Sequence, residues 1–179
     1  MALTHKILPH YTYEDWEQWE GKWELMDGIA IAMSPAPVPK HQRIASSINA
    51  ILYNAIKKAK CKHCFVYHPL NYKISEDTIF EPDVLIVCGK IEKKYLDYPP
   101  SLVVEVLSPA TVLRDRNTKY ESYRQQGVPY YLIVDVDKEV IEIYRLENGE
   151  YQLQPFTNDF SFILDEGCQI TPDFSEVWE

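Results

Sequence analysis

Three stretches decide the fold of this chain: residues 81–87, EPDVLIV; residues 100–109, PSLVVEVLSP; and residues 114–127, RDRNTKYESYRQQG. The first two are apolar runs rich in β-branched residues and flanked by proline, the pattern of strands buried in a sheet. The third is polar and ends at Gly127, the residue that suits the position just past a helix C-terminus. Each strand carries one carboxylate where an apolar sheet does not favour it, Asp83 and Glu105. On a strand, alternate residues face opposite sides, so Val103, Glu105 and Leu107 share a face. A carboxylate between two apolar neighbours is paired or bound to a metal when buried. A salt bridge to a core Lys or Arg meets that demand as well as a metal does. Asp83 follows Pro82 at a strand end, where a turn residue is the plain alternative. Taken together, the two acids offer hard oxygen donors suited to Mg²⁺ or Mn²⁺. The backbone carbonyl of Val106, next to Glu105, is a candidate third ligand. On the following helix Asp115, Lys119 and Tyr123 stand at i, i+4 and i+8 and form one stripe. Facing the sheet, that stripe brings Lys119 to the acids; facing solvent, it is an ordinary exposed Asp–Lys pair.

Working outward, residues 11–19 read as a short helix with Thr12 as its cap and Asp15 three residues on. Lys22 to Asp27 and Ile29 to Met33 flank an Asp27-Gly28 hairpin signal. The segment SPAPVP at 34–39 breaks regular structure with its prolines. From Lys40 to Lys60, Ile44, Ile48, Ile51, Leu52, Ala55 and Ala59 follow the spacing of a long amphipathic helix. Strands are expected over Cys64–His68, Leu70–Ile74, Asp83–Cys88, Leu102–Leu107, Tyr130–Val136, Val140–Leu146, Tyr151–Phe156 and Phe160–Leu164, a helix over Leu113–Gln126, and an acidic tail at the end. The order predicts an α/β (α+β) domain over 1–179: a mixed β-sheet flanked by two main helices, with an N-terminal helix and hairpin.

The 179 residues carry 46% hydrophobic and 25% charged side chains, which fits one globular domain with a real core. The net charge of −9 works against non-specific nucleic-acid binding, so such binding requires local basic groups or a metal. The N-terminal residues show no signal-peptide pattern, and no run is apolar enough to span a membrane, so a cytoplasmic protein with no membrane partner is expected. On that basis Cys61, Cys64, Cys88 and Cys168 are expected as reduced thiols. Cys61-Lys62-His63-Cys64 is a lone C-x-x-C without the second pair that a structural zinc site needs. The lysines at 57, 58, 60 and 62 and at 90, 93 and 94 read as solvated faces.

The elements EPDVLIV, PPSLVVEVLSPAT, RDRNTKYESYRQQGVPYYLIVD and VIEIYRL, with WELMDGIAIAMSPAPVPKHQRI upstream, resemble the Uma family of bacterial proteins. That family is restriction-endonuclease-like and belongs to the PD-(D/E)XK nuclease superfamily. The resemblance spans roughly Trp23 to Leu146. It implies a restriction-endonuclease-like core with Asp83, of the Pro82-Asp83 element, and Glu105 as metal ligands. The superfamily pattern has a lysine two residues after the second acid, where this chain has Leu107; Lys119 on the next helix matches the family's basic residue. Glu24 matches the acid of the E-L-x-D-G element, and His41 the histidine that opens the long helix, where packing on the sheet is the competing role. The implied activity is Mg²⁺- or Mn²⁺-dependent hydrolysis of nucleic-acid phosphodiesters, DNA first among them. The alternative is a non-catalytic binding or assembly module, dimeric, that keeps the fold. The charge of −9 and Leu107 favour that alternative, and the two acids with Lys119 favour the enzyme.

Overall fold

The computed structural model describes residues 7–33 and 38–179. The elements run α1 (Tyr13–Trp16), β1 (Trp23–Met26), β2 (Ile29–Ala32), α2 (Pro39–Ala59), β3 (Cys64–Tyr67), β4 (Tyr72–Ser75), β5 (Thr78–Phe80), β6 (Val84–Cys88) and β7 (Leu102–Val106). A π-helical segment (Arg114–Lys119) then leads directly into α3 (Tyr120–Gln125). The chain continues through β8 (Tyr130–Asp135), β9 (Val140–Glu147), β10 (Glu150–Gln154), β11 (Phe162–Asp165) and β12 (Cys168–Ile170).

A six-stranded mixed sheet in the order β10-β9-β8-β7-β6-β3 forms the frame. Within it β7 and β8 run parallel, joined through the π-helical segment and α3, as a parallel connection requires. The alternation read from β7 holds. Leu102, Val104 and Val106 join one core with Ile44, Ile48 and Leu52 of α2. Val103 and Leu107 join a second core with Tyr123 of α3, Tyr131 and Phe80. The two main helices therefore cover opposite faces of the sheet.

Other expectations are corrected. A second, four-stranded sheet in the order β2-β1-β5-β4 adds to the expected hairpin and carries Glu24 inward. Its strand β5 has three residues, too few for a period to show in sequence. Pro39 does not exclude helix: it sits in the first turn of α2, where its missing N–H costs nothing. The rest of the proline-rich break, 34–37, lies outside the described residues. The tail is not merely an acidic end. Strands β11 and β12 pair, and Phe162, Ile170, Phe174 and Val177 are buried in the core shared with α2. The cysteines are not reduced thiols. Cys64 and Cys88 face each other across β3 and β6 and are bonded, and Cys61 at the end of α2 is bonded to Cys168 of β12. Those pairings come from tertiary placement, which the C-x-x-C spacing does not reveal. No helix among the described residues is long and apolar enough to cross a membrane.

Candidate active site

The site forms where the ends of β6 and β7 meet α2 and the π-helical segment. The antiparallel register of β6 and β7 pairs Val84 with Val104, which sets Asp83 at the level of Glu105. Asp83 accepts the backbone N–H of Val106 on Oδ2 at 2.8 Å. The N–H of a residue two beyond Val104 would otherwise lack a β6 partner, so the aspartate caps the end of the β6–β7 ladder. His41 Nε2, from the first turn of α2, donates to the carbonyl of Val106 at 2.7 Å and stands 3.5 Å from Asp83 Oδ2. His68 Nδ1 meets the Asp83 carbonyl at 2.6 Å.

Behind Asp83 lies a buried ionic cluster. Lys119 Nζ is 2.7 Å from Glu24 Oε1, 3.0 Å from Glu105 Oε1 and 3.6 Å from Asp115 Oδ1. Tyr123 donates its hydroxyl to Glu105 at 2.8 Å, and Glu24 also accepts the N–H of Glu81 at 3.0 Å. Glu24, Glu105, Asp115 and Lys119 are each 3% exposed or less. Three carboxyl groups surround one ammonium, and Asp115 Oδ1 has no hydrogen-bond partner among the described residues. Burial pushes the Glu105 carboxyl well above the usual carboxylate range; Lys119 opposes this, while Asp115, Asp83 and Glu24 add to it. Burial raises Asp115 in the same way. For Lys119, burial works to lower the pKa, but Glu105, Glu24 and Asp115 more than reverse it and hold the ammonium charged. His41 is likewise pulled down by burial and lifted past its ordinary value by Asp83 and the Val106 carbonyl.

A cavity of about 610 Å³ opens over this cluster, with Glu24, His41, Asp83, Val106, Arg114 and Lys119 among its lining residues. Its size is that of a small-molecule or cofactor site. Among the described residues, no three acidic, His or Cys side chains are drawn together into a ready cation cage. The donor chemistry nevertheless fits a divalent cation of the Mg²⁺ class, which takes one or two carboxylates and keeps several waters. The unpartnered Asp115 oxygen and the excess of acid over lysine are the observations that carry this fit. The Val106 carbonyl, which His41 occupies on one lone pair, retains a second.

Residues 11–173 match the model of the Uma2 family, described as "Putative restriction endonuclease". The chain belongs to that family. Similarity to known proteins runs across most of its span. An uncharacterised protein of Synechocystis sp. is 26% identical over 159 residues, covering 80% of this chain and 79% of the relative. A crystal structure from Anabaena variabilis, described as "a putative nuclease belonging to DUF820", superposes with a TM-score of 0.72. It shares 16% identity and covers 93% of this chain and 97% of its own. The fold is restriction-endonuclease-like.

Within this Uma2 fold the five side chains singled out in the sequence fall into two bonded groups: Glu24 and Glu105 on Lys119, and His41 with Asp83 at the Val106 backbone, next in the chain to Glu105. The stripe Asp115–Lys119–Tyr123 faces the sheet, so the exposed-pair alternative is set aside. Asp115 and Tyr123 belong to the cluster, though nothing in the sequence marks them beyond that stripe. Glu105 itself does not line the cavity, whereas Lys119, bonded to it, does. Arg114 and His68 also border the cavity, and no motif in the sequence points to either.

Proposed function

We propose that this protein is a metal-dependent endonuclease that hydrolyses nucleic-acid phosphodiester bonds, with DNA as the first substrate to test and Mg²⁺ or Mn²⁺ as its ion. The observation that carries this is a cavity lined by Glu24, Asp83 and Lys119, with Glu105 and Asp115 buried behind it against the same lysine. In the proposal Asp83 and Glu105 hold the cation, with the Val106 carbonyl beside them. When bound, a divalent ion polarises a phosphoryl oxygen and acidifies water. The chain's own residues set the rest. The Val106 N–H fixes the Asp83 carboxylate, and His41 fixes the Val106 carbonyl. Lys119 has three donors; Glu24 and Glu105 take two, and the third, with Asp115 Oδ1 3.6 Å away, is the one that would turn to an anionic oxygen in the cavity and stabilise charge that grows on the phosphate. Glu24 orients Lys119 while anchored to the Glu81 backbone.

Plasmid nicking tests this. With Mg²⁺ or Mn²⁺ the wild type converts supercoiled to open-circular DNA, and Asp83→Ala and Glu105→Ala lose about 100-fold or more in rate. Equal rates in all three proteins would rule the mechanism out.

A second reading has a specific observation behind it. Lys119 already neutralises part of the acid cluster, and Leu107 stands where the superfamily pattern has a lysine. A binding or assembly module, with a homodimer as its simplest form, would keep such a cluster for structure alone. Absence of Mg²⁺ or Mn²⁺ binding at millimolar levels in calorimetric titration selects this second reading.

A further inference from the structure

The arginines of this chain divide sharply by their partners. Arg116 holds Glu142 through two bonds of 2.8 and 2.9 Å. Arg124 holds Glu121 and Glu150, Arg145 stands 3.7 Å from Glu147, and Arg43 donates to the backbone carbonyls of Trp178 and Glu179. Arg114 has no ion pair among the described residues, and its Nε is shielded from solvent with no hydrogen-bond partner there. In a chain of net charge −9, an arginine left without an acid calls for a reason.

Its position supplies one. Arg114 lines the same cavity as Asp83 and Lys119. It opens the π-helical segment that Lys119 closes. Winding with i→i+5 bonds sets these two residues one turn apart on the same side of the helix. The lysines on the wall are already engaged: Lys22 with Glu81 at 2.8 Å, and Lys119 with Glu24 and Glu105. Arg114 is the cavity-lining arginine that no described acid pairs, so an incoming anion meets its guanidinium whole, whereas Lys119 offers at most the donor its acids leave. The hydroxyls of Ser108 and Thr111, 3.2 Å apart, border the cavity as well and add neutral donors. A guanidinium presents a planar fork matched to two oxygens of one phosphate.

We propose that Arg114 anchors a nucleic-acid phosphate next to the reacting phosphodiester. The proposal rests on the nuclease reading for the identity of its ligand. It also explains how a strongly acidic protein takes hold of a polyanion: through an arginine at the cavity that no described acid neutralises, not through a basic face.

The test is binding without turnover. Fluorescein-labelled single-stranded DNA and RNA oligonucleotides of one sequence are titrated in EDTA, by anisotropy, over a series of salt concentrations. Arg114→Gln should weaken binding about tenfold and lower the slope of log K against log salt by about 0.7, one phosphate on a single strand. Arg114→Lys should keep the slope yet bind several-fold more weakly than wild type, because the charge stays and the fork is lost. Both variants should melt as wild type does, since Arg114 leaves no described partner behind. The DNA and RNA arms show which polymer supplies the phosphate. Wild-type affinity and slope in Arg114→Gln would overturn the proposal, as would a wild type that binds neither polymer. A protein that binds through Arg114 but never nicks DNA refutes the nuclease reading and leaves the anchor in place.

Discussion

Glu105 is the residue whose role is most legible from sequence. Its strand is apolar on both faces, so an unpaired charge there is costly and a partner has to exist. The partner is a lysine fourteen residues later, reinforced by Tyr123. Asp115 is harder to see, because an i,i+4 Asp–Lys pair looks the same on a solvated face as against a sheet. Arg114 is invisible, since what marks it is the partner it lacks. The state of Glu105 leads to a prediction. Its folded pKa is raised, so the neutral form is favoured in the native protein. Its contribution to stability is full below the unfolded value of about 4.3 and is lost as pH rises through the raised folded value, each tenfold change in proton affinity being worth about 1.4 kcal/mol. Glu105→Gln cannot ionise and keeps an oxygen for Lys119 and Tyr123. The stability of Glu105→Gln relative to wild type should therefore rise with pH above that lower bound, in metal-free urea melts. A difference that is flat or falls with pH would show that Glu105 is held ionised instead.

At the scale of elements, α2 and the buried strands are readable because each carries a clear period. The π-helical segment is not, yet it shapes the site. Over the eight residues from Asp115 to Tyr123, an α-helix drifts by about 80° from whole turns. A stretch with i→i+5 bonds turns less per residue and offsets that drift, so Asp115, Lys119 and Tyr123 all face inward. The C-terminal hairpin escapes notice for a different reason. Its strands have four and three residues, and its anchoring is covalent: Cys61 at the end of α2 is tied to Cys168, 107 residues away. A bond that closes so long a loop constrains the unfolded chain, a stabilisation of about 2–5 kcal/mol. Cys168→Ser should lower the urea midpoint correspondingly. Hydrogen exchange should show amides of 162–170 opening first, with the β7–β8 pair still protected. An unchanged midpoint would mean that the buried Phe162, Ile170 and Phe174 hold the hairpin unaided.

For the molecule as a whole, composition and site pull in opposite directions. A net charge of −9 repels a polyanion, and the same acidity is concentrated where Glu24, Asp83, Glu105 and Asp115 meet. A divalent cation resolves both, since it neutralises the cluster and offers the phosphate a positive partner. Ions that bind only the native state stabilise it by mass action, about 2.7 kcal/mol at one hundred times the dissociation constant. Thermal melts with millimolar Mg²⁺ or Mn²⁺ should therefore rise above those in EDTA, and Asp83→Ala should abolish the rise. The effect also has a direction in pH. Glu105 and Asp115 are biased toward their protonated forms by burial, and carboxylates must shed protons before they ligate. The metal-induced rise should grow as pH increases through their raised values and shrink on acidification. This trend is opposite to the metal-free loss of stability at Glu105, so the two experiments together separate a cluster built to receive a cation from one that Lys119 has already closed. A rise independent of pH, or one that survives in Asp83→Ala, would place the ion elsewhere on this acidic surface.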